Sequence, residues 1–90
     1  MQNMQMEIRY SPRFRKQYVK SNKKVKIAFN SRLELFLQNA HHPLLKNHSL
    51  TGEFKGYRSI NITGDWRAIY LERRDAVIFI TLGTHSQLYK

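Results

Sequence analysis

Cysteine is missing from this chain, which excludes a disulfide framework and any thiolate metal site and leaves stability to the hydrophobic core. Long apolar runs are missing too: nothing approaches the roughly 18 residues of a membrane span. The opening stretch MQNMQMEIRY lacks the apolar segment of a signal peptide. The expectation is a cytoplasmic protein with no membrane association. Acidic residues are scarce, 6 against 16 Lys plus Arg, for a formal charge of +10 on 90 residues. So large an excess on so short a chain favours a polyanionic partner. No repeat, low-complexity tract or linker-like shift in composition interrupts the chain, so residues 1–90 read as a single small domain. A second core or a deep cofactor pocket would not fit, and no cofactor is expected.

What is there reads as a sequence of short elements. Met6, Ile8 and Tyr10 alternate with Glu7 and Arg9, the period of a half-buried strand. Ser11 followed by Pro12 predicts a helix start, since Ser caps orphan N–H groups and Pro at the first helical position loses no hydrogen bond. That helix runs to about Lys20, with Phe14, Tyr18 and Val19 inward. A second helix, capped by Ser21 or Asn22 and closed by Pro43, carries Val25, Ala28, Phe29, Leu33, Phe36, Leu37 and Ala40 on one face. After a loop from His41 to Phe54 come three strands, about Lys55–Ile62, Trp66–Arg73 and Ala76–Leu82, with turns at Thr63-Gly64-Asp65 and Arg74-Asp75 that dictate antiparallel neighbours. The continuous apolar run of the last strand suits an interior position. The expected class is α+β, in the order β-α-α-β-β-β, with both helices on one face of a small twisted sheet and the other face left for function.

Four short motifs then stand in order: Asn47-His48-Ser49-Leu50-Thr51-Gly52, Lys55-Gly56-Tyr57-Arg58, Gly64-Asp65-Trp66-Arg67-Ala68-Ile69-Tyr70, and Gly83-Thr84-His85-Ser86-Gln87-Leu88-Tyr89. Together they resemble the RelE/YafQ-type toxins of bacterial type II toxin–antitoxin pairs, the YafQ branch above all. The resemblance implies a RelE/ParE-like fold and a metal-independent endoribonuclease that cuts translated mRNA in the ribosomal A site. It also implies an antitoxin partner, with the toxin alone a monomer and the complex a hetero-oligomer.

Cleaving RNA by attack of the ribose 2′-OH needs a proton acceptor at that hydroxyl, a donor for the departing 5′-oxygen, and cations for the charge on phosphorus. By the resemblance, His85 matches the family's C-terminal histidine and is the general acid. His48 matches the loop histidine and is the candidate base, with Asp65, in the hairpin turn, an alternative base or orienting group. Arg67 stands where RelE has a phosphate-stabilising arginine, and Arg58 and Lys55 are further candidates for that duty. Tyr89 matches a C-terminal aromatic on which a nucleobase can stack. The chain departs from the branch at Ser59 and Asn61, where YafQ-like proteins carry an aspartate and a histidine; neither replacement shuttles protons near neutral pH.

Bland readings stand beside these. Trp66 and Tyr57 are aromatic enough for RNA but suit hairpin packing, and Gly52 and Gly56 suit backbone needs. Lys23, Lys24 and Lys26 sit unfavourably at the positive end of the second helix, a hint of an outside anion. His41 and His42 adjoin Pro43 with no third ligand at metal spacing, and no carboxylates cluster to hold Mg²⁺. Two rival functions share the composition: a ParE-like toxin that poisons gyrase by binding, and a basic nucleic-acid-binding module without chemistry.

Overall fold

Ser11 begins the folding logic of the N-terminal half. In the computed structural model, which describes residues 6–89, its Oγ accepts from Phe14 N at 3.0 Å and caps helix α1, Pro12–Lys20, directly after strand β1, Glu7–Tyr10. Asn22 caps α2, Lys23–Gln38, by accepting from Val25 N at 2.9 Å. No acidic residue occupies the first turn of either helix. Helix α2 stops before Pro43: Asn39 already leaves the helix, its N–H on Leu35 O. Pro43 instead opens a 3-10 turn, Pro43–Leu45.

The inward stripes follow helical spacing, with two corrections. Phe14 is buried and Tyr18 packs on the core, but Val19 is 69% exposed, because one step past Tyr18 rotates it about 100° off the stripe. Leu37 is 52% exposed for the same reason, standing one step beyond the buried Phe36.

Five strands form one mixed sheet in the order β1-β5-β4-β3-β2. Here β2 is His48–Ser49, β3 Arg58–Asn61, β4 Trp66–Glu72 and β5 Ala76–Thr84. Strand β5 is interior, parallel to β1 and antiparallel to β4. The two-residue β2 lies within the stretch read as loop and closes the far edge. Strand β3 begins at Arg58 rather than Lys55, because the 3-10 turn Gly52–Phe54 and Gly56 at φ 94° carry the chain around a corner first. A four-residue helix α3, His85–Leu88, follows β5 and was absent from the expected order.

Both long helices lie on one face. Phe14 and Phe29 meet at a tilt, 5.1 Å between centroids, Phe29 meets Phe79 of β5 edge-on at 5.3 Å, and Phe36 meets Tyr70 of β4 at 5.1 Å. Such aromatic pairs add about 0.5–1.5 kcal/mol each beyond area burial. Strand β1 pairs β5 only as far as Phe79, so the next stretch of β5 needs other partners. Helix α1 supplies them: Ser11 Oγ donates to Ile80 O at 2.7 Å, and Gln17 Oε1 accepts from Leu82 N at 2.7 Å.

Candidate active site

Successive residues of a strand point to opposite faces, and this divides the candidate residues. Ile60, Ala68, Tyr70 and Leu82 belong to the helix-side core. Ser59 and Asn61 of β3 therefore face the other way, in register with Ile69 and Arg67 of β4. His48 pairs directly with Ser59 across β2 and β3, which puts its side chain on that same face.

The C-terminal segment returns over this face. Thr84 and Gln87 form a capping box: Gln87 N donates to Thr84 Oγ1 at 3.2 Å, and Gln87 Oε1 accepts from Thr84 N at 2.9 Å. That Thr-x-x-Gln spacing is a helix-start signature present in the sequence and missed in the expected order. Helix α3 sets His85 and Tyr89 one turn apart, their rings 4.7 Å between centroids and edge-on. The Tyr89 hydroxyl donates to Ser59 Oγ at 3.2 Å, and Ser59 is fully buried. Phe54 meets the tyrosine ring edge-on, 6.2 Å between centroids. A chain of contacts thus links His85 to Tyr89, Tyr89 to Ser59, and Ser59 to the strand position of His48.

His48 is held in a defined proton state when neutral. Its Nδ1 lies 2.9 Å from Lys46 O, and a carbonyl only accepts, so Nδ1 carries the hydrogen and Nε2 keeps a free lone pair. The carbonyl owes its direction to the left-handed backbone of Lys46, φ 46°. His85 is exposed at the start of α3, and its backbone N–H donates to Asp65 O at 2.9 Å, tying the hairpin turn to the helix. Asp65 is exposed beside it.

The cations separate. Arg67 lies across from Asn61, and its Nη1 donates to the carbonyls of Thr63, Gly64 and Trp66 at 3.1 to 3.3 Å. Through these bonds the arginine braces the turn. Lys55 is exposed next to Phe54. Arg58 lies on the opposite face: its Nε donates to Asn47 Oδ1 at 2.8 Å, while Asn47 Nδ2 donates to the Tyr70 hydroxyl at 2.7 Å and to Ala40 O at 2.8 Å. Burial pushes the Tyr70 phenol above its ordinary value, against the Asn47 bond and the Arg58 charge. Arg58 is therefore not gathered with His85, and Asn47, unmarked in the sequence, is the hub joining the end of α2 to the sheet.

His42 spends its Nδ1 accepting from Leu44 N at 3.1 Å, capping the 3-10 turn. Among the described residues no three His, Asp or Glu side chains are grouped as a metal site would require.

A family model described as "Bacterial toxin of type II toxin-antitoxin system, YafQ" matches residues 6–90. The chain belongs to the YafQ family. It is thus a toxin of a type II toxin–antitoxin system, in the five-stranded mixed-sheet fold of RelE-, YafQ- and YoeB-like toxins. A histidine-to-glutamine mutant of YafQ from E. coli is similar at 28% identity and a TM-score of 0.68, over 96% of this chain and all of that one. The E. coli DinJ–YafQ toxin–antitoxin complex is similar at 27% identity and a TM-score of 0.73, over 96% of this chain and 99% of that one. A YoeB/ParE toxin from Agrobacterium tumefaciens reaches a TM-score of 0.73 over 89% of this chain and 99% of that one, but at 19% identity the likeness is one of fold. No curated protein sequence matches. The YafQ-family match spans the motifs of His48, Asp65, Arg67, His85 and Tyr89 alike.

Proposed function

We propose that this YafQ-family toxin is a ribosome-dependent, metal-independent endoribonuclease acting on translated mRNA in the A site. The observation that carries the reading is the contact chain on the functional face: His85 against Tyr89, Tyr89 on buried Ser59, and His48 in register with Ser59. The 2′-oxygen attacks phosphorus as the bond to the 5′-oxygen breaks, leaving a 2′,3′-cyclic phosphate and a free 5′-hydroxyl. His48 Nε2 takes the 2′ proton, and His85 supplies the proton to the leaving oxygen. Asp65 stands beside His85 to orient it or serve as an alternative base, while Arg67 and Lys55 offset the phosphorane charge. Tyr89 stacks a base and so aligns the 2′-OH for in-line attack.

An antitoxin, as in the DinJ–YafQ complex from E. coli, covers this toxin with an acidic segment. Support comes from the +10 charge and from helix starts without acidic residues. The test maps mRNA 5′ ends after brief induction of wild type or His85→Ala in a translating bacterial system lacking the antitoxin. New ends inside codons with wild type alone are expected. Equal cleavage by both proteins removes His85 as the acid, and growth arrest without new ends moves the function to a gyrase-type target.

A further inference from the structure

Beside the face just described lies a groove of about 630 Å³ between α1, the hairpin and α3. Arg13 and Lys20 line one wall, seven residues apart on α1 and so on one side of the helix. The single ion pair among the described residues is Arg9 with Glu7, so neither of these cations has an acidic partner. Trp66, at the start of β4, and Phe54, in the 3-10 turn, line the same groove. Trp66 is half-buried, packed against the core and lining the groove. Phe54 also touches Tyr89, so the groove and the His85–Tyr89 pair share a wall. Among the described residues Glu53 is the one carboxylate on the lining.

Two cations without an acidic partner and an aromatic side chain on one groove is the chemistry of single-stranded nucleic acid: phosphates go to the cations and an unpaired base to the ring. The volume falls within the roughly 300–1,000 Å³ of small-ligand sites. We infer that this groove seats a nucleotide flanking the scissile one, its base against Trp66 and its backbone on Arg13 and Lys20. Glu53 faces the base end, where it accepts from an exocyclic amine or a ribose hydroxyl and repels a misplaced phosphate. The inference rests on the RNA-cleaving reading and adds to it a second contact that holds the strand taut across His85.

Trp66 is the only tryptophan, so its emission reports directly on this groove. The probe is a 2′-O-methyl hexanucleotide, which has no nucleophilic 2′-OH, labelled for anisotropy at one end. Saturable quenching of Trp66 is expected in wild type, and no quenching with a fully paired RNA duplex of the same charge. The exposed pair Arg13→Ala/Lys20→Ala should weaken binding about tenfold. It should also lower the slope of log K against log salt by about 1.4, at roughly 0.7 per phosphate contact for single strands. Binding by anisotropy with unchanged Trp66 emission and an unchanged salt slope overturns the groove while leaving the nuclease reading intact. Absence of any binding at millimolar hexanucleotide overturns it as well. Quenching and a salt slope as expected, with no new mRNA ends in translating extracts, keeps the groove and removes the nuclease.

Discussion

Ser59 shows what a single buried hydroxyl can position. A buried hydroxyl at this position cannot act as a base, but it receives the Tyr89 hydroxyl and fixes the ring beside His85. A double-mutant cycle of Ser59→Ala and Tyr89→Phe, read by urea unfolding, is expected to give a coupling of about 0.5–1.5 kcal/mol. Tyr89→Ala also removes the stacking plane and should lower cleavage in a translation extract by about tenfold or more, from the roughly 1–3 kcal/mol of a base–aromatic stack. Tyr70 carries a pH prediction. Its phenol is raised by burial in the folded state, whereas the unfolded phenol titrates near 10. The stability it contributes is whole below about pH 10 and drains away as pH climbs toward the folded value, because only the unfolded chain releases the proton early. Urea midpoints of Tyr70→Phe should therefore fall less steeply above about pH 10 than those of wild type.

At the scale of elements, α3 decides the geometry of the site while contributing no buried residue of its own. It is seated by Gly83: a Cβ there would stand 3.0 Å from Gln87 Oε1 and 3.3 Å from Leu88 Cδ2. Gln87 cannot retreat without releasing Thr84 N and opening the capping box. Gly83→Ala is thus expected to cut activity by about tenfold or more, the penalty of misplacing catalytic groups, with a melting temperature within a few degrees of wild type. A parallel fall in activity and melting temperature would show that α3 is part of the core. Helix α1 has the opposite character. Ser11→Ala loses both the cap on Phe14 N and the bond to Ile80 O, and should cost about 1–2 kcal/mol in urea unfolding.

For the whole molecule, the unbalanced +10 charge is the governing quantity. Self-repulsion opposes folding until salt or a polyanion screens it. Raising ionic strength from about 10 mM to 500 mM should increase the melting temperature of the free toxin by a few degrees, whereas RNA binding should weaken over the same range. Loss of melting temperature with salt would mean that the cations are already paired within the fold.

Much of this was legible in order along the chain. The caps at Ser11 and Asn22, the stripe of Phe29 and Phe36, and the interior strand from Ala76 follow from local hydrogen bonding and hydrophobic period, which neighbours in sequence decide between themselves. The limits of that logic show at Val19 and Leu37, which are apolar yet exposed because each stands one step, about 100°, off the buried stripe, and packing against the sheet decides which neighbour the stripe follows. The same limit explains Arg58: its motif places it beside the site in sequence, but strand alternation turns it to the other face, onto Asn47. Chain order thus determined which groups the protein possesses, a basic surface and two histidines on either side of a hairpin. Only the tertiary structure decided which of them meet, because strand register sets His48 across from Ser59 and the return of α3 lays Tyr89 on that same serine, contacts made between residues far apart in the chain.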